Sequence, residues 1–442
     1  MWVTPTETLR WTDGSAPDTC SRPDQESLSA SVEVVVAAPD RAATADDMTT
    51  LTWLIIGGGI HGVHIAARLL GEGRVVPEDL GILDPGDHLL ARWRDATSAT
   101  GMTHLRSPSV HHLALPHDAL QRFAGKRKNR KPGAFAIPFE RPSLELFNAH
   151  CDQVERTFDL EARHIKGQAV HCSVECDAVR VRLECGRELE ARNVVLALGS
   201  SDQPNWPSWA PRDDPRVRHI FDRTPPDWPA RPESIVVVGG GISAGHVALR
   251  LIKDDHDVHL ISRHPLQQHQ FDSDPGWLGW KYTELFTQER DVDRRRRLIT
   301  DARHTGSVPP DMGRSLRRAI ARGKLHWHQG EVTGVATDDD ALRIMMEKDT
   351  VIRGGRILLA TGFDRRRPGG AMVDDLIASA SLPCATCGYP IVDDSLRWHS
   401  RVFVSGPLAE LELGPVSRNI AGARRAGDRI VDAIRSGSIS DS

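Results

Sequence analysis

The chain has 442 residues, 39 % of them hydrophobic and 26 % charged, and 56 Lys and Arg against 60 Asp and Glu leave a net charge of −4. That length allows two or three domains with ordinary globular cores, while the balanced charge argues against an electrostatic nucleic-acid binder. No apolar run reaches the roughly 18 residues needed to span a membrane, Met1 to Asp24 lacks a secretory pattern, and seven cysteines in so long a chain do not form a disulfide framework; the expected compartment is the cytoplasm.

Residues 1–49 are dominated by Thr, Ser, Asp, Pro and Ala, and only Val32 to Val36 is suited to a strand. This segment reads as a poorly ordered extension, with Met48 as an alternative start. From Leu51 the pattern turns α/β. Leu51 to Ile56 is a buried-type strand, followed by three glycines and a helix over Val63 to Leu70. Leu80 to Leu83 is a second strand ending at Asp84, and 86–140 reads as loop-rich with a basic surface stretch at Lys126 to Lys131. A helix over Pro142 to Arg156, a meander over Val170 to Glu190 and a strand at Asn193 to Leu198 complete the first part. After a Pro/Trp-rich linker, Gln203 to Pro232, a second strand–glycine–helix unit begins at Ser234, with a strand at Val258 to Ile261. Residues 281–322 read as helical and charged, Arg356 to Ala360 and Arg401 to Ser405 as strands, and Val416 to Ile434 as a final helix. The late segments return to the style of the first unit. The fold class is therefore α/β: two Rossmann-like dinucleotide-binding domains, the second (226–352) inserted within the first (50–225 and 353–442).

Two glycine motifs carry this reading. Gly57-Gly58-Gly59-Ile60-His61-Gly62 matches G-x-G-x-x-G, and Gly239-Gly240-Gly241-Ile242-Ser243-Ala244 matches G-x-G-x-x-A, each directly after an apolar strand and before an apolar-periodic helix. The first glycine (Gly57, Gly239) makes the tight turn, and the second (Gly59, Gly241) lets backbone approach a pyrophosphate. The small third residue (Gly62, Ala244) allows close helix–strand packing, and the helix N-terminus supplies free N–H groups. One such match is weak evidence; two in the same context are not. The strand ends separate the ligands. Asp84, 22 residues after Gly62, suits a ribose diol, as in FAD. The second unit has no acid there but Ser262 and Arg263, whose hydroxyl and guanidinium suit the 2′-phosphate of NADPH.

Two dinucleotide units in this order resemble the two-domain flavoproteins, and among them the class B flavin-dependent monooxygenases, which include flavin-containing monooxygenases, Baeyer–Villiger monooxygenases and the ornithine/lysine N-hydroxylases. Ala197-Leu198-Gly199 followed by Pro204 and Pro207 is similar to the family's A-x-G-x-x-x-x-P-x-x-P turn, and Ala360-Thr361-Gly362-Phe363 to its A-T-G-aromatic turn. Gly406 and Asn419-Ile420 stand where such chains place a turn and a helix against the flavin. Arg92-Trp93 and Gly101-Met102-Thr103-His104 resemble the segment lining the flavin in N-hydroxylases. The likeness covers about 51–434. It implies FAD and NADPH as cofactors, with contacts from Trp93, Met102, Gly199, Thr361, Gly362, Gly406 and Asn419. It further implies O₂ and a small-molecule substrate, oxygenated at nitrogen or sulfur through a C4a-(hydro)peroxyflavin. No catalytic side chain is assigned, because the cofactor carries the reactivity. The Baeyer–Villiger fingerprint is absent; Val217 to Phe221 is only loosely similar around its histidine. The amino-acid-binding residues of the hydroxylases are not located, although Thr305-Gly306-Ser307 stands where those enzymes carry a substrate or NADP loop.

The rival reading is an NADPH-dependent flavoprotein reductase with a disulfide or partner protein as acceptor, and a third is a nucleotide-binding scaffold without turnover. Cys384-Ala385-Thr386-Cys387 bears on the rival; with no second pair it reads first as a structural loop, and second as a redox-active dithiol. Cys172, Cys176 and Cys185 read as small packing residues. The clustered His104, His111, His112 and His117, and the pair His326 and His328, lack the acids or cysteines that would complete a metal site. Arg294 to Arg297 reads as a solvated helix face.

Overall fold

A computed structural model of the chain describes residues 50–223, 228–338 and 341–437. The extension over 1–49, with Val32 to Val36 and Met48, lies outside the described residues. A mixed sheet with a parallel centre and an all-parallel sheet organise the rest. In the first, Thr50–Ile56 lies between Leu80–Asp84 and Glu188–Leu196, with His164–Lys166 beyond one and Val402–Val404 and Arg397–His399 beyond the other. The apolar run Trp53 to Ile56 is buried on both faces, as a central parallel strand requires. Ala169–Val174 and Val179–Leu183 form an antiparallel meander on the edge of Glu188–Leu196.

The second sheet is all parallel, in the order Leu325–Gln329, Asp257–Ser262, Ser234–Val238, Arg356–Leu359, Val217–His219. Helices cover one face, where Val247 and Leu251 meet Leu316. A three-stranded meander, Val332–Thr337, Leu342–Met346 and Val351–Gly354, covers the other, where Leu342 and Ile344 meet Val236 and Ile261. Chain order confirms the insertion: everything in the second sheet falls between Glu188–Leu196 and Val402–Val404, which are neighbours in the first. The sheet reaches beyond 226–352, however, because Val217–His219 and Arg356–Leu359 are hydrogen-bonded into it. Residues 217–219 fall in the segment read as linker; three residues leave no periodicity to read, and only the neighbouring strand defines them.

Two further differences are local. The segment 86–140 contains a helix, Ala91–Thr100, whose sequence has little apolar periodicity. Tertiary contacts hold it: the Arg92 guanidinium donates to the Ser201 carbonyl, and Trp93 lies against Phe147. The last helix is Ile420–Arg435 and starts later than expected, because Pro415–Arg418 forms a tight 3₁₀ turn ahead of it. Among the described residues no helix is long and apolar enough to cross a membrane.

Candidate dinucleotide site

The first glycine turn is built by two close approaches and one open position. Gly57 has φ +115°, and a Cβ on it would stand 2.6 Å from the Ala197 carbonyl oxygen of the neighbouring strand end, so only glycine fits. A Cβ on Gly62 would stand 1.8 Å from the Gly57 carbonyl oxygen, so the helix Ile60–Gly71 sits directly on the turn. Gly59 is the opposite case. Nothing lies within 4 Å of its would-be Cβ, and it caps the helix with no side chain, which leaves the first N–H groups without a side-chain cap. Asp84 braces this arrangement: its Oδ2 accepts the Gly58 N–H at 2.7 Å and its Oδ1 the Gly86 N–H at 2.8 Å. Each oxygen has a further lone pair for a diol.

The second turn repeats the plan with changes. Gly239 (φ +151°) passes the Ala360 carbonyl, where a Cβ would meet its oxygen at 2.4 Å, and Ala244 is buried under the turn. Gly241 caps the helix Ile242–Lys253, again without a side-chain cap. Here the cradle is faced by protein, since a Cβ on Gly241 would stand 3.6 Å from the Cα of Gly306. Thr305-Gly306-Ser307 thus lies across this turn. At the strand end the reading of Ser262 needs correction. Its side chain is 2 % exposed, its hydroxyl donates to the His264 carbonyl at 2.8 Å, and it accepts the Trp327 indole N–H at 2.9 Å. A hydroxyl bonded on both sides orders the 262–264 turn and is not free for a phosphate. Arg263 is 71 % exposed, with Glu331 at 3.8 Å as a loose partner; such a contact is worth little and leaves the guanidinium available.

Between the turns, Gly406 comes to the first one: a Cβ on it would lie 3.6 Å from the Leu198 carbonyl oxygen and 3.7 Å from His61 Nδ1. Asn419 caps the last helix, and its amide donates to Asp272 at 3.2 Å. Gly199 follows the Ala197 crossing, with Ser201 as its neighbour. Thr361 and Gly362 stand elsewhere, where the two connections between the units run side by side. Thr361 Oγ1 lies 3.1 Å from His219 Nε2, the Gly362 carbonyl accepts the Asn205 N–H at 2.9 Å, and Pro204 bridges to Phe363. Trp93 and Met102 are partly buried and pack on the first core, the Trp93 indole donating to Asn148 at 3.0 Å.

Several residues at this site escape sequence reasoning. His61, inside the first motif, places Nδ1 2.8 Å from Ser405 Oγ and so ties the glycine turn to the late strand; burial pushes its pKa down to about 4, against a smaller opposing effect from the Asn419 backbone. The only signal was a histidine within a glycine motif. Arg106 spans the two units, donating to the carbonyls of His269 (2.7 Å), Gln270 (3.0 Å) and Phe271 (2.7 Å) and to Ser307 Oγ (3.0 Å). Glu410, 1 % exposed, holds Arg418 at 2.7 Å, Arg303 at 3.6 Å and Arg296. Burial pushes this carboxyl up, but the Arg418 bonds and the charges of Arg418, Arg296 and Arg303 outweigh it and hold the acid below its ordinary range. Arg418 in turn reaches Ser200 Oγ at 3.1 Å and the Tyr389 hydroxyl at 2.8 Å.

This network corrects the reading of Arg294 to Arg297. Arg295 bonds Glu412 at 2.9 Å and Arg296 bonds Glu410, so half of that run faces inward. Cys172 is buried, but Cys176 and Cys185 are exposed and do not serve as packing residues. His326 and His328 stack on His259 with ring centroids at 4.8 and 5.2 Å.

Two Rossmann-like units joined in this way define the fold of the two-domain flavoproteins, class B monooxygenases among them, and comparison with solved structures agrees. An ornithine N-hydroxylase of Kutzneria sp. 744, solved with reduced FAD, NADP⁺ and L-ornithine, matches at TM-score 0.70 and 18 % identity over 88 % of this chain and 100 % of that one. The L-lysine 6-monooxygenase of Pseudomonas syringae matches at 0.65 and 18 % over 87 % and 99 %. The bacillithiol disulfide reductase of Bacillus cereus matches at 0.58 and 17 % over 88 % and 99 %. No curated protein matches by sequence. Residues 54–288 match the pyridine nucleotide-disulphide oxidoreductase family, and the chain belongs to that family.

Proposed function

We propose that this protein is a FAD- and NADPH-dependent monooxygenase that oxygenates a small nucleophilic substrate at nitrogen or sulfur. The observation that carries the reading is the pair of glycine turns, one open at Gly59 and braced by Asp84, the other flanked by the exposed Arg263. FAD fits the first: the space beside Gly59 admits a pyrophosphate, the uncapped helix offers N–H donors, and Asp84 accepts a ribose diol. NADPH fits the second, where Arg263 supplies charge for the 2′-phosphate. The domain roles follow: the parts on either side of the insertion hold flavin, and the insertion holds the nicotinamide nucleotide. When bound, flavin supplies two-electron chemistry and the activation of O₂.

The chain's own residues bind, orient and exclude water. Gly57 and Gly62 set the turn, and Gly199, Gly406, Asn419 and His61 close the flavin side behind it. Trp93 and Met102 give an apolar wall, and Arg106 holds the 269–271 loop and Ser307 beside the second turn. Thr361 and Gly362 act at the crossing between the units. The likeness to an ornithine N-hydroxylase favours nitrogen as the oxygenated atom.

Purified protein should carry flavin, and NADPH oxidation should consume O₂ in a substrate-dependent way across a panel of amines, amino acids and sulfides. NADPH oxidation that instead requires an added disulfide and disappears in Cys384→Ser would replace this reading with the reductase. Protein without flavin would remove both.

A further inference from the structure

The basic stretch Lys126 to Lys131 stays at the surface, with Arg127–Asn129 as a 3₁₀ turn within it. Just after it Phe135–Ala136 pairs antiparallel with Arg141–Pro142, and residues 137–140 form the tip of that hairpin. The tip is apolar and faces outward: Ile137 is 80 % and Phe139 53 % exposed, with exposed Pro138 between them. The backbone imposes this exposure. Phe139 (φ +72°) and Glu140 (φ +43°) are consecutive non-glycine residues in the left-handed region, a costly conformation that persists only where neighbours hold it. Glu140 is the fastening. Its carboxylate accepts from Gln121 at 2.8 Å, Arg127 at 3.0 Å and Arg130 at 3.4 Å, and its carbonyl accepts the Ser109 N–H at 3.1 Å. One residue thus projects the apolar tip and binds the basic stretch beside it. Val110, next to Ser109, adds another exposed apolar side chain. Lys126, Lys128 and Lys131 are exposed, and the ion pair of Lys131 with Glu145 at 3.1 Å joins two largely exposed side chains, so it holds back little of the charge.

We propose that the 137–139 tip and the 126–131 stretch form a docking surface for an anionic lipid bilayer, on which the protein lies without crossing it. Charge complementarity names the partner. Five Lys and Arg in six residues meet the phosphate-bearing headgroups, while Ile137 and Phe139 enter the boundary between headgroups and acyl chains. Neither signal anchors a protein well alone; an apolar insertion beside a polybasic patch supplies both. Three successive exposed residues on a narrow turn also suit a soft phase that they can penetrate, where the flat face of a protein would leave their sides uncovered. Exposure by itself does not make such a surface. Trp280 and Leu285, on the helix Trp280–Gln288, are 80 % and 71 % exposed, but that helix has Glu284 beside its single Lys281 and no basic run. These two side chains are the internal controls. The Phe139 ring leans on Phe271 at 5.1 Å, in the loop that Arg106 holds, so the bilayer would meet the protein where the two units adjoin.

The test mixes the purified full chain with vesicles of phosphatidylcholine, alone or with about one third phosphatidylserine, and measures the fraction that sediments with them. Binding to the anionic vesicles should exceed binding to the neutral ones at least about tenfold, and should fall as salt is raised. Ile137→Ser, alone or with Phe139→Ser, should weaken anionic binding about tenfold or more. Replacing Lys126, Lys128 and Lys131 together by Gln should weaken it about a hundredfold, at roughly fivefold per charge. All these side chains are exposed, so Tm should stay at the parent value, and Trp280→Ser with Leu285→Ser should leave binding unchanged. Absence of sedimentation with either vesicle, equal sedimentation with both, a tip variant that binds like the parent, or a loss in the Trp280 and Leu285 variant as large as in the tip variant would each overturn the proposal. Capture by polyglutamate without vesicle binding would overturn it in favour of an acidic protein partner. The readout needs neither flavin nor NADPH, so failure of this proposal and failure of the monooxygenase reading are separate results.

Discussion

The two glycine turns share one plan and differ in three places. The first has glycine at its third position, with the helix start pressed on the Gly57 carbonyl; the second has Ala244 there, with room for the methyl group. The first opens to empty space at Gly59, whereas the second is crossed by Gly306. The first ends in an acid that braces the turn; the second ends in a committed serine and an exposed arginine. One sequence pattern thus yields a turn whose cradle at Gly59 stays open and another whose cradle at Gly241 is faced by a distant loop.

The largest test of this contrast is Gly62→Ala. The second turn tolerates alanine at the equivalent place, but in the first the new methyl would meet a backbone carbonyl that cannot move aside. A loss of about 3 kcal/mol or more is expected, seen as a lowered Tm and lost flavin; a variant that melts like the parent would show the two turns to be equivalent. Gly59→Val separates space from stability, since its side chain enters only the open cradle. Folding should be kept while flavin affinity falls by at least about tenfold, or 1.4 kcal/mol, measured as bound flavin per chain. Arg263→Ala should raise KM for NADPH by roughly 10- to 100-fold, from the loss of about 1.5–3 kcal/mol of charge-assisted bonding. NADH should hardly change; equal losses for both would remove the 2′-phosphate assignment.

Acid should also distinguish the helices behind the turns. Burial holds His61 at about 4 and His64 at about 3 on the first helix, and His246 at about 4 on the second. These values lie below the ordinary 6.5, so as pH falls the unfolded chain binds protons first, and stability is lost from about pH 6.5 downward until the folded values are reached. Each histidine contributes up to about 1.4 kcal/mol per pH unit across that window. His61→Gln should flatten part of the decline in Tm between pH 6.5 and 4.5. Ala244→Gly should have the smallest effect, about 1 kcal/mol from helix propensity.

Much of this fold is legible in the sequence because its signals are local. Apolar runs of five or six residues broken by glycine announce each strand and turn, and the return of the same style after residue 356 announces the insertion. The misses are non-local. Ser262 looks like a free donor until Trp327, on the neighbouring strand, is brought against it. Arg296 looks solvated until Glu410, 114 residues away, closes over it. Val217–His219 becomes a strand only through its partner Arg356–Leu359.

The paired crossings have a mechanical consequence. Asn205 bonds Gly362, Pro204 bridges to Phe363, and Phe221 stacks on Phe363 at 4.7 Å, so both tethers between the halves are fastened together along one line. Two ropes knotted side by side behave like a door hinge and not like a ball joint: they allow the inserted half to swing about a single axis but resist twisting. Arg106, with four acceptors across the gap, is then the bolt on that door.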